Sequence, residues 1–90
     1  MPYEAWLAAI AELQGLRAQL LSLRMVEAHL KTERAVANLE ERNPVAAALV
    51  LARVADDPAL HPALRYRMQV LKDQLLPYSS VEKVPGNLSA

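Results

Sequence analysis

Two histidines, one pair of adjacent aspartates, four serines and two closely spaced arginines are the side chains of this 90-residue chain whose types do chemistry. Zinc hydrolases of the HExxH kind need histidines one helical turn apart, whereas His29 and His61 are the only two and stand 32 positions apart. His29 and Glu33 have the one-turn spacing, which on a charged helix surface reads as a solvated contact. His61, followed by Pro62, reads as part of a helix start. Asp56 and Asp57 are paired carboxylates of the sort that acid–base catalysis or calcium binding uses. Placed before Pro58, they are expected instead to cap the N–H groups of a helix, with Asp57 as the candidate N-cap. Ser22, Ser79, Ser80 and Ser89 sit in no GxSxG elbow. Gly15 and Gly86 are isolated, with no Walker lysine, which excludes a glycine-rich phosphate loop. No cysteine is present, so there is no disulfide framework, thiol nucleophile or cysteine zinc site. These residues predict a protein that is not an enzyme and uses no metal or cofactor.

Arg65, Tyr66, Arg67 and Gln69 are the residues a helix-turn-helix would offer to a DNA groove, with the "DDP" connection as its turn. Ten basic and ten acidic side chains cancel, however, so no overall field draws the chain to nucleic acid or an anionic membrane. Arg65 and Arg67 lie about 200° apart on an ideal helix and make no single basic stripe. DNA binding is the alternative function, behind interaction with another protein.

Such residues must be positioned by helices. Sixteen alanines and sixteen leucines, against one isoleucine and no phenylalanine, favour helix over strand and predict an all-α protein. Pro2 and Glu4 suit a helix opening near residue 3. Trp6, Ala9, Leu13, Leu16, Leu20 and Leu23 follow the alternating three-and-four spacing of a seam along one face. After Leu23 the heptad keeps Leu30 and Ala37 but puts Glu27 and Arg34 at the other seam position, so the seam weakens or shifts. The next proline is Pro44. An unbroken helix to Asn43 would run about 60 Å, too long for the remaining chain to cover. It must fold back, with residues 29–33 the expected break, or be covered by a second copy. Gly15, beside the seam, is expected to mark close approach by another helix.

Asn43 and Pro44 open a second helix, "VAAALVLARVA", whose only polar side chain is Arg53 and which therefore belongs at the centre. A third places Leu60, Leu64, Met68, Leu71 and Leu75 on one face and stops at Pro77. Residues 1–76 read as one helical domain. Residues 77–90 read as an extended tail that Tyr78, Val81, Val84 and Leu88 would hold in place.

The stretch "IAELQGLRAQLLSLR", Ile10 to Arg24, resembles the first helix of the small all-helical chorismate mutases in its aliphatic spacing and terminal arginine. That resemblance implies a long first helix, two shorter ones and an intertwined dimer. The family's early arginine would fall at Ala8, its lysine at Lys31 or Glu33, and its Arg-Glu pair opening helix two has no counterpart in "NPVAAALVLAR". The cations that would bind a dianionic substrate are thus not in place, and the activity is not carried over.

A chain of this length removes only about 60% of its unfolded surface from water, which favours association as a source of stability. The expected function is a small protein–protein interaction module, acting as adaptor, sequestering regulator or helix-binding chaperone, and forming a homodimer. Trp6, Leu13, Leu16, Leu20 and Leu23 are its expected association face, the competing role for them being an intramolecular core. The N-terminus lacks a basic leader, and the longest apolar run, Val45 to Ala52, is far short of the roughly 20 residues that cross a bilayer, so a cytoplasmic location is expected.

Overall fold

In the computed structural model, which describes residues 1–78, the chain forms four helices: α1 (Tyr3–Ser22), α2 (Val26–Glu40), α3 (Pro44–Ala55) and α4 (Pro62–Leu75). The described residues contain no strand, and none of their helices is long and apolar enough to cross a membrane. Helix α1 starts where Pro2 directs it, with the Trp6 amide donating to the Pro2 carbonyl.

The long N-terminal helix ends at Ser22, seven residues before the break expected at 29–33. Leu23 is its C-cap, Arg24 adopts a left-handed φ of 60°, and the amides of Arg24 and Met25 donate back to the carbonyls of Leu21 and Leu20. This pair of reversed hydrogen bonds is a Schellman motif, with Met25 packed against the core as the apolar residue that follows the left-handed position. Helix α2 stops in the same way: Arg42 has φ 63°, and the amides of Arg42 and Asn43 donate to Leu39 and Asn38. Glycine usually occupies the left-handed site, because a side chain there crowds the following carbonyl. Arg24→Gly is therefore expected to raise stability by about 1 kcal/mol, read as a higher urea midpoint with unchanged slope.

The break resets the helical phase. Helix α2 buries Ala28, Thr32, Ala35, Val36 and Leu39, while Leu30 and Ala37, which the continued heptad placed on the seam, face outward. Thr32 is enclosed without penalty because its hydroxyl donates to the Ala28 carbonyl at 2.8 Å.

Asn43 caps α3 as its sequence indicates, its side chain accepting from the Ala46 amide at 3.2 Å with Pro44 in the first turn. Helix α3 packs against both α2 and α4 and buries Pro44, Ala47, Ala48, Leu51, Val54 and Ala55, the central place its composition requires. Asp57 does not cap the last helix. Its carboxylate accepts from the Ala59 amide at 2.9 Å in a local turn, and His61 Nδ1 caps α4 by accepting from Ala63 at 3.1 Å. Leu60 in that turn is buried and joins Leu64, Met68, Leu71 and Leu75 in the core.

Each helix packs chiefly on its neighbour in the chain: α1 on α2, α2 on α3, α3 on α4. The hairpins are antiparallel, as short connections demand. The three-helix outline that the chorismate-mutase resemblance implies, with one long first helix, is not the one observed: Arg24 lies in a turn, and two helices occupy residues 3–40.

Candidate interaction face

The residues singled out for chemistry are largely used to hold helices together. On α4, the Arg65 guanidinium turns back on the connection from α3. Its Nε donates to the Ala55 carbonyl at 3.0 Å, and its Nη2 to those of Asp57 at 2.9 Å and Leu60 at 3.3 Å. A cation over the last carbonyls of α3 also complements that helix's negative end. Arg67 donates from Nη1 to Gln19 Oε1 at 2.8 Å, linking α4 to α1. Tyr66, two-thirds exposed, and the exposed Gln69 remain outward. The four side chains considered for a DNA groove therefore do not form one outward set.

His29, Glu33 and Arg17 meet between α1 and α2. His29 Nδ1 is 3.0 Å from the Arg17 carbonyl and Nε2 is 3.1 Å from Glu33 Oε1, which also lies 3.6 Å from Arg17 Nη1. The ring is therefore held between the Arg17 carbonyl on α1 and the Glu33 carboxylate on α2. His29 and Glu33 thus form more than a solvated pair, fastening the start of α2 to the end of α1. Arg17 Nε is enclosed with no hydrogen-bond acceptor among the described residues. His61 is exposed at its cap, far in function from His29, and no group of three or more His, Cys, Asp or Glu among the described residues is arranged to hold a metal ion.

Of the residues expected to form an association face, Leu13, Leu16 and Leu20 are fully enclosed within a single chain. An interface built from them would require the bundle to open. Trp6 is half-buried and clasps the open end of the α1–α2 hairpin. Its Nε1 donates to the Leu39 carbonyl at 2.6 Å, the Tyr3 ring lies 5.5 Å away at 39°, and the Arg42 guanidinium stands 5.7 Å from its centroid. Leu39 also accepts from the Arg42 amide, so this last-turn carbonyl of α2 has two donors. Leu23 is exposed, at 56%. Of the tail residues, Tyr78 is half-buried against the core, and Val81, Val84 and Leu88 lie outside the described residues.

The surface that remains has two apolar parts. At the turn between α1 and α2, Leu23, Val26 and Leu30 are each more than half exposed, and Val26 and Leu30 share one face of α2 by their four-residue spacing. Along α1, the side opposite Leu13, Leu16 and Leu20 carries the exposed Leu7, Ala8, Ala11, Gly15, Ala18 and Leu21. A Cβ added to Gly15 would meet nothing within 4 Å, so no helix of this chain approaches it, contrary to the close packing expected there. Sequence reasoning named Leu23 for the association face but not Val26, Leu30 or the outward side of α1, because it followed the seam of Trp6 to Leu23 and continued the same heptad into α2.

No family model, curated protein or solved structure matches the chain.

Proposed function

We propose that this protein is a helical interaction module that binds another protein through the aliphatic end of its first hairpin, in the role of adaptor, sequestering regulator or helix-binding chaperone. The observation that carries the reading is the exposure of Leu23, Val26 and Leu30 on a chain that already encloses a core drawn from all four helices. Exposed aliphatic residues scattered singly need no explanation, but three within eight positions at one end of a hairpin form the apolar centre of a docking site. A partner helix laying an i, i+3, i+4 stripe across that end would remove them from water. The engagement of Arg65 and Arg67 in contacts within the fold supports this reading over the DNA-binding alternative. Self-association into a homodimer completes the proposal.

The test is affinity capture from the source cells with the natural chain and with a variant carrying Leu23→Ser, Val26→Ser and Leu30→Ser. These positions are exposed, so the variant is expected to keep its helical content and melting temperature within a few degrees. The expected result is a protein retained by the natural chain and lost with the variant. Identical recovery by both chains would overturn the assignment of this end as the binding site.

A further inference from the structure

We infer that the outward face of α1 is a two-fold docking surface for α1 of a second copy of this chain, the two helices running antiparallel with the symmetry axis at Gln14 and Gly15. The inference rests on the interaction-module reading and names one of its partners.

Gly15 supplies the first argument. A glycine in mid-helix weakens the helix, and nothing in this chain occupies the space its missing side chain leaves. Packing within the fold therefore gives no reason for it, whereas a second helix crossing at that point would gain close backbone approach. Ala11 and Ala18, on either side and also exposed, extend the low ground by one turn in each direction.

The order of residues along α1 is nearly self-complementary when read in opposite directions. Moving outward from the middle of α1, Ala11 is balanced by Ala18 and the 44% exposed Leu7 by the 55% exposed Leu21, while Glu4 in the first turn is answered by Arg24 in the turn just beyond the helix. An isologous interface requires that when residue i of one copy meets j of the other, j also meets i. This sequence meets that condition to within about half a residue for an antiparallel pair, the leucines and the charges centring on Gln14 and the alanines between Gln14 and Gly15. Each Leu7 then falls beside the other copy's Leu21, outside a central strip of small residues.

Charge fixes the direction. Glu4 and Arg24 are both exposed, and neither forms an ion pair among the described residues. Antiparallel pairing brings Glu4 of each copy to the end of α1 that precedes Arg24 of the other, twice by symmetry. Parallel pairing would set Glu4 against Glu4 and Arg24 against Arg24. Exposed pairs add little affinity, so the leucines and the close approach hold the dimer while the charges select its orientation.

The experiment has two arms. Absolute mass by light scattering, at protein concentrations about tenfold apart so that mass action is visible, is measured for the natural chain, Glu4→Arg, Arg24→Glu and the double swap. A dimer is expected for the natural chain, with dissociation constants raised about tenfold by either single swap and returned to within about threefold by the double one. In the second arm, single cysteines are placed in this cysteine-free chain. Gln14→Cys is expected to form a disulfide with itself, and Leu7→Cys with Leu21→Cys but not with itself, because a disulfide needs Cα atoms within about 7 Å. The cysteine arm uses the natural charges and so remains decisive if a charge variant fails to fold. A monomer at both concentrations, or a dimer in which Leu7→Cys bonds to itself, would overturn the inference. Either result leaves recognition of another protein by Leu23, Val26 and Leu30 standing, since the capture experiment tests that separately.

Discussion

Leu16→Ala is expected to lower the unfolding free energy by about 2–5 kcal/mol, the range for removing a fully enclosed leucine. Leu16 has no exposed surface and lies on the buried side of α1 with Leu13 and Leu20. Its loss withdraws apolar area from the core and leaves a cavity that helices fastened at both ends cannot readily close. The hairpin's fastenings are the Trp6–Leu39 bond at one end and the His29–Arg17 bond toward the other. A domain of this size is stabilised by about 5–13 kcal/mol, so the substitution removes a large part of the total. Thermal and urea melts followed by circular dichroism read the effect, at roughly 4–8 °C per kcal/mol. Leu7→Ala, on the opposite side of the same helix, is expected to change the stability of the folded monomer, read at concentrations too low for dimers, by no more than about 0.5 kcal/mol. Equal losses from the two substitutions would mean that the faces of α1 have been assigned wrongly.

Trp6→Ala is expected to cost about 2–4 kcal/mol, less than a fully enclosed tryptophan because the ring is half-buried. The substitution removes the hydrogen bond to Leu39, the tilted contact with Tyr3 and the Arg42 cation over the ring. Trp6→Phe retains an aromatic ring and loses the donor. Leu39 keeps the Arg42 amide as a partner, so the expected cost is only about 0.5–1.5 kcal/mol. The ordering of stability, Trp above Phe above Ala, follows if Trp6 acts as a clasp between the start of α1 and the end of α2. Unchanged melting of Trp6→Ala would sink that role. Light scattering on the same proteins separates the clasp from the association role that the spacing of Trp6 suggests. A clasp moves the melting temperature at every concentration, whereas an interface anchor moves the mass-action midpoint as well.

The elements that sequence reading placed well are those marked by local chemistry. Asn43 with Pro44 opens α3, Pro2 precedes α1, and Pro77 follows α4, because proline's missing N–H and fixed φ act on its immediate neighbours whatever the rest of the chain does. The buried stripes of α1 and α4 were legible for a similar reason: Ala9, Leu13, Leu16 and Leu20, and Leu64, Met68, Leu71 and Leu75, each keep helical spacing within one unbroken helix. The break at Leu23 to Met25 carries no such mark. The left-handed position holds Arg24, where glycine would have announced the stop, and the reversed hydrogen bonds that define the stop involve only backbone. Continuing the heptad through it rotated every later position of α2 in the reading, which put Leu30 and Ala37 on the seam although both face outward. Choosing His61 over Asp57 as the cap of α4 was equally out of reach, since either precedes a proline and can accept from an amide two residues on.

Composition and spacing by themselves determined that the described residues are helical, that "VAAALVLARVA" lies in the middle of the packing, and that Leu13, Leu16 and Leu20 of the first helix and Leu64, Leu71 and Leu75 of the last face inward. These follow from helix propensity and from the 3.6-residue period, which are properties of short segments. Tertiary structure decided which polar side chains became fasteners and which apolar ones stayed outside. Arg65 reaches carbonyls from Ala55 to Leu60, His29 reaches Arg17 across a hairpin, and Trp6 reaches Leu39 across 33 positions of sequence. No local rule encodes such pairings, because each depends on the angle and register at which two helices meet. The same packing consumed Leu13, Leu16 and Leu20 and left Leu7, Leu21, Leu23, Val26 and Leu30 exposed, since a helix can turn only one side toward its neighbours.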